Sequence, residues 1–111
     1  ELLDKMIYET YDGNGMIKNL YPGKPEDLYN TLINSFFTPD LTVYPRTIII
    51  SAEYDYLRIE NGLFAQKLAD AGVPVHWFTY KGTSHGFLEH TGEFPQAEDG
   101  INEISRIIKM I

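Results

Sequence analysis

The chain has 111 residues, which is the length of one small domain or of part of a larger one. Its 43% hydrophobic and 14% aromatic residues predict a globular protein and argue against a disordered one. Sixteen acidic residues against nine basic residues give a net charge of −7, which argues against nucleic-acid phosphates or an anionic membrane as a partner. The absence of cysteine excludes a disulfide scaffold, a thiol nucleophile and a thiolate zinc site.

No apolar run approaches the roughly 20 residues that a membrane-spanning helix needs, and no signal-peptide pattern opens the chain. We therefore expect a soluble, cytoplasmic protein. The first residue is Glu1 and not methionine, which suggests a fragment of a longer chain.

Residues 1–44 are predicted to form a helical and loop region before the first strand. Two turn dipeptides at residues 12–15 indicate a loop. Pro25 is a favourable first helical residue, because the amide hydrogen that it lacks would have no partner there. Apolar residues then recur at i, i+4, i+5 and i+8 and predict an amphipathic helix that Pro39 ends: Leu28, Leu32, Ile33 and Phe36.

Residues 45–111 are predicted to alternate strands and helices. Residues 47–51 are a short β-branched run without charge, which is typical of a strand covered on both faces. From Leu57 the apolar residues follow a helical period until Gly72, which suits a left-handed helix cap, and Pro74, which cannot continue a helix. Residues 75–80 are aromatic and β-branched and predict a second strand. This order predicts a parallel βαβ unit with a right-handed crossover.

A loop over residues 81–92 and a helix over residues 95–111 complete the predicted order. Gly100 weakens this helix by about 1 kcal/mol relative to alanine. Four isoleucines at steps of 3, 4 and 3 predict its apolar face: Ile101, Ile104, Ile108 and Ile111. Two strands leave much sheet edge without a partner. We expect either that the chain pairs with itself in an oligomer or, as we prefer, that it is part of a larger parallel sheet.

Two polar residues follow the carboxyl ends of the predicted strands. Asp55 comes just after the first strand, and His85 comes just after the second. Because the loops at these ends of parallel strands converge on one edge of the sheet, the two side chains can meet there. An acid and a histidine in contact are two members of a hydrolytic triad. Taken singly, Asp55 would more often cap a helix and His85 would more often be a surface residue.

The other polar candidates have simpler interpretations. His76 within a strand and His90 in a polar loop are interpreted as structural or solvated. The spacing of His85, Glu89 and His90 matches no metal-binding motif, so we expect no metal site. Two acids near Asp55 are predicted to support the loops by hydrogen bonds: Glu53 and Glu60.

Two longer segments surround the candidate pair. Residues 51–60 read S-A-E-Y-D-Y-L-R-I-E, and residues 80–87 read Y-K-G-T-S-H-G-F. Together they resemble the C-terminal third of an α/β-hydrolase, most closely the hormone-sensitive-lipase-like group of esterases and acetyl-hydrolases. In that group A-E-x-D-x-L-R-x-E carries the triad acid and H-G-F carries the triad histidine, at an interval similar to the 30 residues found here. Two positions depart from the group: Tyr56 stands where proline is common, and Ile59 stands where an acid is common.

The resemblance implies an α/β fold that is the C-terminal portion of one α/β-hydrolase domain, with Asp55 and His85 as triad acid and base. It also implies small acyl esters as substrates, no metal or organic cofactor, and homo-oligomers formed through the last strand and helix. The group carries its nucleophile on G-x-S-x-G and an oxyanion-hole H-G-G earlier in the chain. Neither motif occurs before Asp55 in these 111 residues, and the G-x-S-x-G string at residues 82–86 contains His85 itself and follows the acid. We therefore expect the missing N-terminal part of the domain to supply both, and the chain alone to be inactive.

Two further functions are open at this point. One is a non-catalytic, hydrolase-like module that binds a small ligand or a partner and retains the two motifs. The other is an independent small α/β domain that oligomerises through its open sheet edges. A G-x-S-x-G motif upstream of Glu1 in a longer chain would favour the enzyme. A residue other than serine at the centre of that motif would favour the binding module.

Overall fold

The structure is a computed structural model that describes residues 24–111. The predicted loop at residues 12–15 lies outside these residues. The chain divides into two compact units, Glu1–Val43 and Tyr44–Ile111. No helix in the described part of the chain is long and apolar enough to cross a membrane.

The described part of the first unit contains short 3₁₀ turns in place of the predicted amphipathic helix. They cover Pro25–Tyr29, Ser35–Phe37 and Leu41–Val43. Asn30 and Asn34 interrupt the helix, because their side-chain oxygens accept hydrogen bonds from the backbone amides of Leu32 and Phe36. Phe36 is buried as a result, whereas Leu32 is 91% exposed. The prediction of one helix with a single apolar face before Pro39 was therefore wrong.

The second unit is built on two parallel strands, which confirms the predicted pairing. Strand β1 covers Thr47–Tyr54, and strand β2 covers Val75–Ser84. The strands run three and four residues beyond their predicted ends, so the predicted loop over residues 81–92 begins only after Ser84. The extensions contain Glu53 and Gly82, residue types that are depleted in strands. These residues are in strand conformation because β1 and β2 pair there, and the local sequence pattern does not indicate that pairing.

Helix α1, Arg58–Asp70, packs across both strands. Ala65 and Leu68 are its buried residues, and the connection to β2 passes through Gly72 in the left-handed region at φ 86°, as predicted. This helix lies where the βαβ pattern predicts it.

A small core forms on the face of the sheet that carries Ile50 and Ala52. Ala52 is buried there against Phe87 and against Ala97 of helix α2, Pro95–Lys109. Because neighbouring residues of a strand point to opposite faces, this core lies on the other side of the sheet from the Ser51 side chain. The sheet therefore has packing on both faces at its carboxyl end.

The buried side of α2 is not the predicted isoleucine stripe. Gly100 and Ile107 are buried, whereas Ile101 and Ile108 are 43% and 57% exposed. A Cβ atom on Gly100 would lie 2.7 Å from Cδ2 of Leu88, so a small residue is needed at this close contact. The buried face is shifted from the predicted stripe toward Gly100 and Ile107, and Ile104 of the stripe is half-buried.

The isoleucines of β1 are only half-buried: Ile48, Ile49 and Ile50. Within residues 24–111, β2 is the only strand hydrogen-bonded to β1. The described residues therefore do not provide the cover on both faces that the sequence of this strand predicts.

Candidate active site

Asp55 and His85 lie in contact at the carboxyl end of the two strands. Asp55 follows the last residue of β1, and His85 follows the last residue of β2. Oδ2 of Asp55 is 2.8 Å from Nδ1 of His85, a hydrogen-bond distance. The Asp55 side chain is 9% exposed and the His85 side chain is 65% exposed. The parallel sheet thus brings together the acid and the imidazole that the sequence placed 30 residues apart.

The start of α1 orients the carboxylate of Asp55. Oδ1 accepts a hydrogen bond from the Leu57 amide at 2.9 Å, and the Asp55 carbonyl accepts one from the Arg58 amide at 3.1 Å. The positive end of the helix dipole also favours a carboxylate here. With Oδ1 held by the backbone, Oδ2 is the oxygen that faces His85. Asp55 therefore holds the turn that leads into α1 and contacts the imidazole as well.

A left-handed glycine and a buried phenylalanine directly follow His85 in the loop after β2. Gly86 has φ 79°, a left-handed conformation that glycine adopts without strain. Phe87 is 5% exposed and packs its ring 5.4 Å from the Tyr80 ring. The ring of Tyr56 lies nearly parallel to the imidazole, at 18° and a centroid distance of 6.1 Å. Tyr56, which stands where proline is common in the group, is thus a neighbour of the histidine that we did not predict.

The imidazole has one nitrogen engaged and one nitrogen accessible. When Nδ1 donates to the Asp55 carboxylate, the neutral ring carries its proton on Nδ1, and Nε2 becomes a proton acceptor. Nε2 lies on the side of the ring away from Nδ1, and the side chain as a whole is largely exposed. The arrangement can therefore accept a proton at Nε2 and stabilise the resulting imidazolium through Asp55.

A cleft of about 240 Å³ opens beside the pair. Asp55, His85 and Asn61 are the polar side chains of its wall, and the apolar side chains are Ile50, Ala52, Leu57, Phe87 and Leu88. A mostly apolar cleft with a few converging polar groups is the usual form of a small-molecule site.

The serine nearest to the acid in sequence has a structural role. Ser51 is 2% exposed. Its hydroxyl oxygen accepts hydrogen bonds from Asn61 at 3.2 Å and from Trp77 at 3.3 Å, which ties α1 to both strands. No serine within residues 24–111 is hydrogen-bonded to His85. The described residues thus contain an acid and a base without a nucleophile in contact.

The remaining predicted residues lie outside the cleft wall. Nη1 of Arg46 is 3.4 Å from Nε2 of His76, and Nδ1 of His90 is 3.2 Å from a carboxylate oxygen of Glu93. Within the described part of the chain, no three histidine, aspartate or glutamate side chains cluster as metal ligands. The two supporting acids differ: Glu53 accepts a hydrogen bond from a backbone amide of β2, and burial raises the pKa of Glu60.

A parallel βαβ unit with an acid and an imidazole at its carboxyl edge is the arrangement expected of an α/β-hydrolase. Comparison with known protein families agrees with this class. The pattern that describes the alpha/beta hydrolase fold matches residues 3–89. The chain belongs to this family, which confirms the resemblance found in its motifs.

The relatives that the chain resembles are esterases by name. It is 38% identical over 69 residues to an arylesterase of Saccharolobus solfataricus, which covers 62% of this chain and 22% of the relative. It is 34% identical over 92 residues to esterase LipU of Mycobacterium tuberculosis, which covers 83% of this chain and 29% of the relative. The chain therefore spans less than a third of the length of each.

Solved esterase structures show the same fold. A hyperthermophilic esterase from the archaeon Pyrobaculum calidifontis superposes on 89% of this chain with a TM-score of 0.81 and 30% identity, over 32% of its own length. A fungal esterase from Rhizomucor miehei superposes on 87% of the chain with a TM-score of 0.77 and 31% identity, over 31% of its own length.

Proposed function

We propose that this chain supplies the acid and the base of a Ser-His-Asp triad to a carboxylic-ester hydrolase. The observation that carries the proposal is the 2.8 Å contact between Asp55 Oδ2 and His85 Nδ1, at the mouth of a mostly apolar cleft. Membership of the α/β-hydrolase family and the esterase names of its relatives support ester hydrolysis as the chemistry.

In the proposed mechanism His85 moves the proton and Asp55 holds His85. A serine hydroxyl is a weak nucleophile at neutral pH, so Nε2 of His85 removes its proton as it attacks the ester carbonyl. The imidazolium then returns this proton to the leaving alcohol. Water attacks the acyl-enzyme in the same way, with His85 again as the base. Throughout, Asp55 keeps the Nδ1 tautomer in place and stabilises the positive ring without taking the proton.

The nucleophile and the oxyanion hole belong to residues outside these 111 in this proposal. The chain order in the family is serine, acid and histidine, so the G-x-S-x-G segment precedes Glu1 in one domain with this chain. Residues 1–111 then form the C-terminal portion of that domain. The resemblance of the two motifs to esterases and acetyl-hydrolases is the ground on which we propose small acyl esters as substrates.

The test compares the 111-residue chain with the longer protein that contains it, using p-nitrophenyl acetate. We expect only background hydrolysis from the chain. In the longer protein we expect His85→Ala to reduce the rate by about 10⁴-fold or more. His90→Ala is the matched control, because His90 is also exposed and paired with an acid, and it should leave the rate unchanged.

Three results would count against the proposal. Enzyme-like hydrolysis by the 111-residue chain that His85→Ala abolishes would show that no outside nucleophile is needed. An unchanged rate in the longer protein carrying His85→Ala would remove the base from the mechanism. Failure of a fluorophosphonate probe to label a serine of the longer protein would favour the non-catalytic binding module.

A further inference from the structure

Strand β2 contains a bulge of two residues shortly before His85. Up to Ala52, which lies opposite Tyr80, the two strands pair residue for residue. The next pair is Tyr54 with Ser84, so β1 advances by two residues while β2 advances by four. The two additional residues lie within the segment 81–83, which we call the β2 bulge.

The β2 bulge sets the level of His85 along the sheet. If the register up to Ala52 continued, residue 85 would be level with residue 57, which is two residues or about 6.6 Å beyond Asp55. The two Cα positions would then be staggered along the strands by the length of two residues. With the bulge, the position after Ser84 is level with the position after Tyr54, which is Asp55. The two inserted residues thus bring His85 level with Asp55, where the 2.8 Å contact is found.

One side chain of β1 holds the β2 bulge. Gly82 has φ 72°, in the region that favours glycine, and its amide donates to Oε2 of Glu53 at 2.7 Å. A carboxylate that accepts from an amide makes a stronger hydrogen bond than a neutral acceptor does. Glu53 stands two residues before Asp55 on the same strand. It thus connects the bulge directly to the strand that carries the acid.

The other side-chain hydrogen bonds of the β2 bulge do not reach β1. The buried Thr83 hydroxyl donates to the carbonyl of Tyr80, within β2 itself. The side-chain amide of Gln96 on α2 donates to the carbonyl of Lys81 at 3.3 Å. These contacts lie within β2 or come from α2, whereas the Glu53 contact is the side-chain hydrogen bond that joins the bulge to β1.

We propose that Glu53 is a positioning residue, whose carboxylate fixes the β2 bulge and so places the His85 ring level with Asp55. The inference rests on the proposed function, in which His85 is the base. Reach and charge can be separated experimentally. Glu53→Gln keeps an oxygen acceptor at the same distance without charge, whereas Glu53→Asp keeps the charge and is shorter by one carbon–carbon bond, about 1.5 Å.

The first test uses the 111-residue chain and nitrogen-15 NMR of the imidazole at alkaline pH. In the unaltered chain and in Glu53→Gln we expect His85 to carry its proton on Nδ1. In Glu53→Asp and Glu53→Ala we expect a mixture of the two tautomers, and exchange of the Gly82 amide hydrogen faster by about tenfold or more. If the Asp and Ala variants keep the unaltered His85 spectrum, the proposal is wrong.

A matched control separates local positioning from general loosening of the chain. Glu98 also accepts a hydrogen bond from the amide of a left-handed glycine, Gly92, at 2.8 Å, but on a different loop. Glu98→Ala should therefore leave the His85 spectrum unchanged. If Glu98→Ala alters His85 as much as Glu53→Ala does, the effect is general and the proposal fails. If Glu53→Ala does not fold, comparison of Glu53→Gln with Glu53→Asp tests the positioning role in the same way.

The second test measures kcat and KM in the longer protein. A misplaced base should lower kcat by about 100-fold in Glu53→Asp with little change in KM, and Glu53→Gln should restore most of the rate. An unchanged kcat in Glu53→Asp would overturn the positioning role. If the NMR result holds but no variant or parent protein shows His85-dependent hydrolysis, the positioning stands and the proposed function is what fails.

Discussion

Replacement of Asp55 by asparagine should reverse the tautomer of His85. Oδ1 of Asp55 accepts from the Leu57 amide and Oδ2 faces Nδ1 of His85, at 2.9 Å and 2.8 Å. Asparagine has only one side-chain oxygen, and the backbone contact requires it at the Oδ1 position. The NH₂ group must then face Nδ1 and donate to it. The neutral ring therefore carries its proton on Nε2, the nitrogen that the mechanism needs as acceptor.

The size of the effect follows from the loss of the base. With the proton on Nε2, attack by serine has no acceptor in place, and in Ser-His-Asp hydrolases this exchange lowers kcat by about 10⁴-fold. This corresponds to about 5.5 kcal/mol of transition-state stabilisation, at about 1.36 kcal/mol for each tenfold change. Because asparagine retains the oxygen that holds the turn leading into α1, the stability of the fold should change little.

Two measurements check this prediction. Nitrogen-15 NMR of the 111-residue chain should show the His85 proton on Nε2 in Asp55→Asn, and hydrolysis of p-nitrophenyl acetate by the longer protein should fall by the stated factor. Asp40→Asn is the matched control, because Asp40 also accepts from an amide two residues ahead, that of Thr42, without contacting a histidine. An Asp55→Asn chain with the proton still on Nδ1, or a rate loss below tenfold, would refute the reasoning.

Two further predictions concern the packing around His85. Phe87→Ala should lower the free energy of unfolding by about 3–5 kcal/mol, because Phe87 is buried. The control Phe94→Ala should lower it by less than about 1 kcal/mol, because Phe94 is 44% exposed. Urea denaturation measures both values, and similar losses in the two variants would show that Phe87 does not anchor the loop. Burial, followed by the 2.6 Å hydrogen bond to Asp99, raises the pKa of Tyr80 from its ordinary value of 10.0 to about 12. The folded chain thus favours the neutral phenol, so this contribution to stability is complete below pH 10.0 and is lost as the pH rises toward about 12. The tyrosinate absorbance that Tyr80→Phe removes should titrate near the higher value and move down in Asp99→Asn; a midpoint near 10.0 in the unaltered chain would contradict the prediction.

The elements near the site could be predicted because their signals are local. A β-branched strand, a helical period that stops at Gly72, and an aromatic strand after Pro74 are each visible within a few residues. The order strand, helix, strand leaves little choice of topology, since a parallel crossover is the usual solution. That topology by itself predicts Asp55 and His85 at one edge of the sheet.

The wrong predictions share a physical cause. Packing and side-chain hydrogen bonds, and not the apolar period, determined the structure at these positions. Asn30 and Asn34 bind backbone amides and replace a helix by turns. On α2 the buried face is chosen by the close approach of Leu88 to Gly100, where an isoleucine would not fit. Glycine at position 100 weakens an isolated helix, but it leaves room for the Leu88 side chain.

The sequence by itself determined which aspartate and histidine we propose as acid and base, the parallel pairing of their strands and the family to which the chain belongs. Only the tertiary structure decided how the two groups meet. A uniform register would place His85 level with residue 57, two residues or about 6.6 Å beyond Asp55. The two-residue bulge, bound to Glu53, brings it level with Asp55. A register shift arises from contacts between strands, and such contacts leave no period in either strand alone.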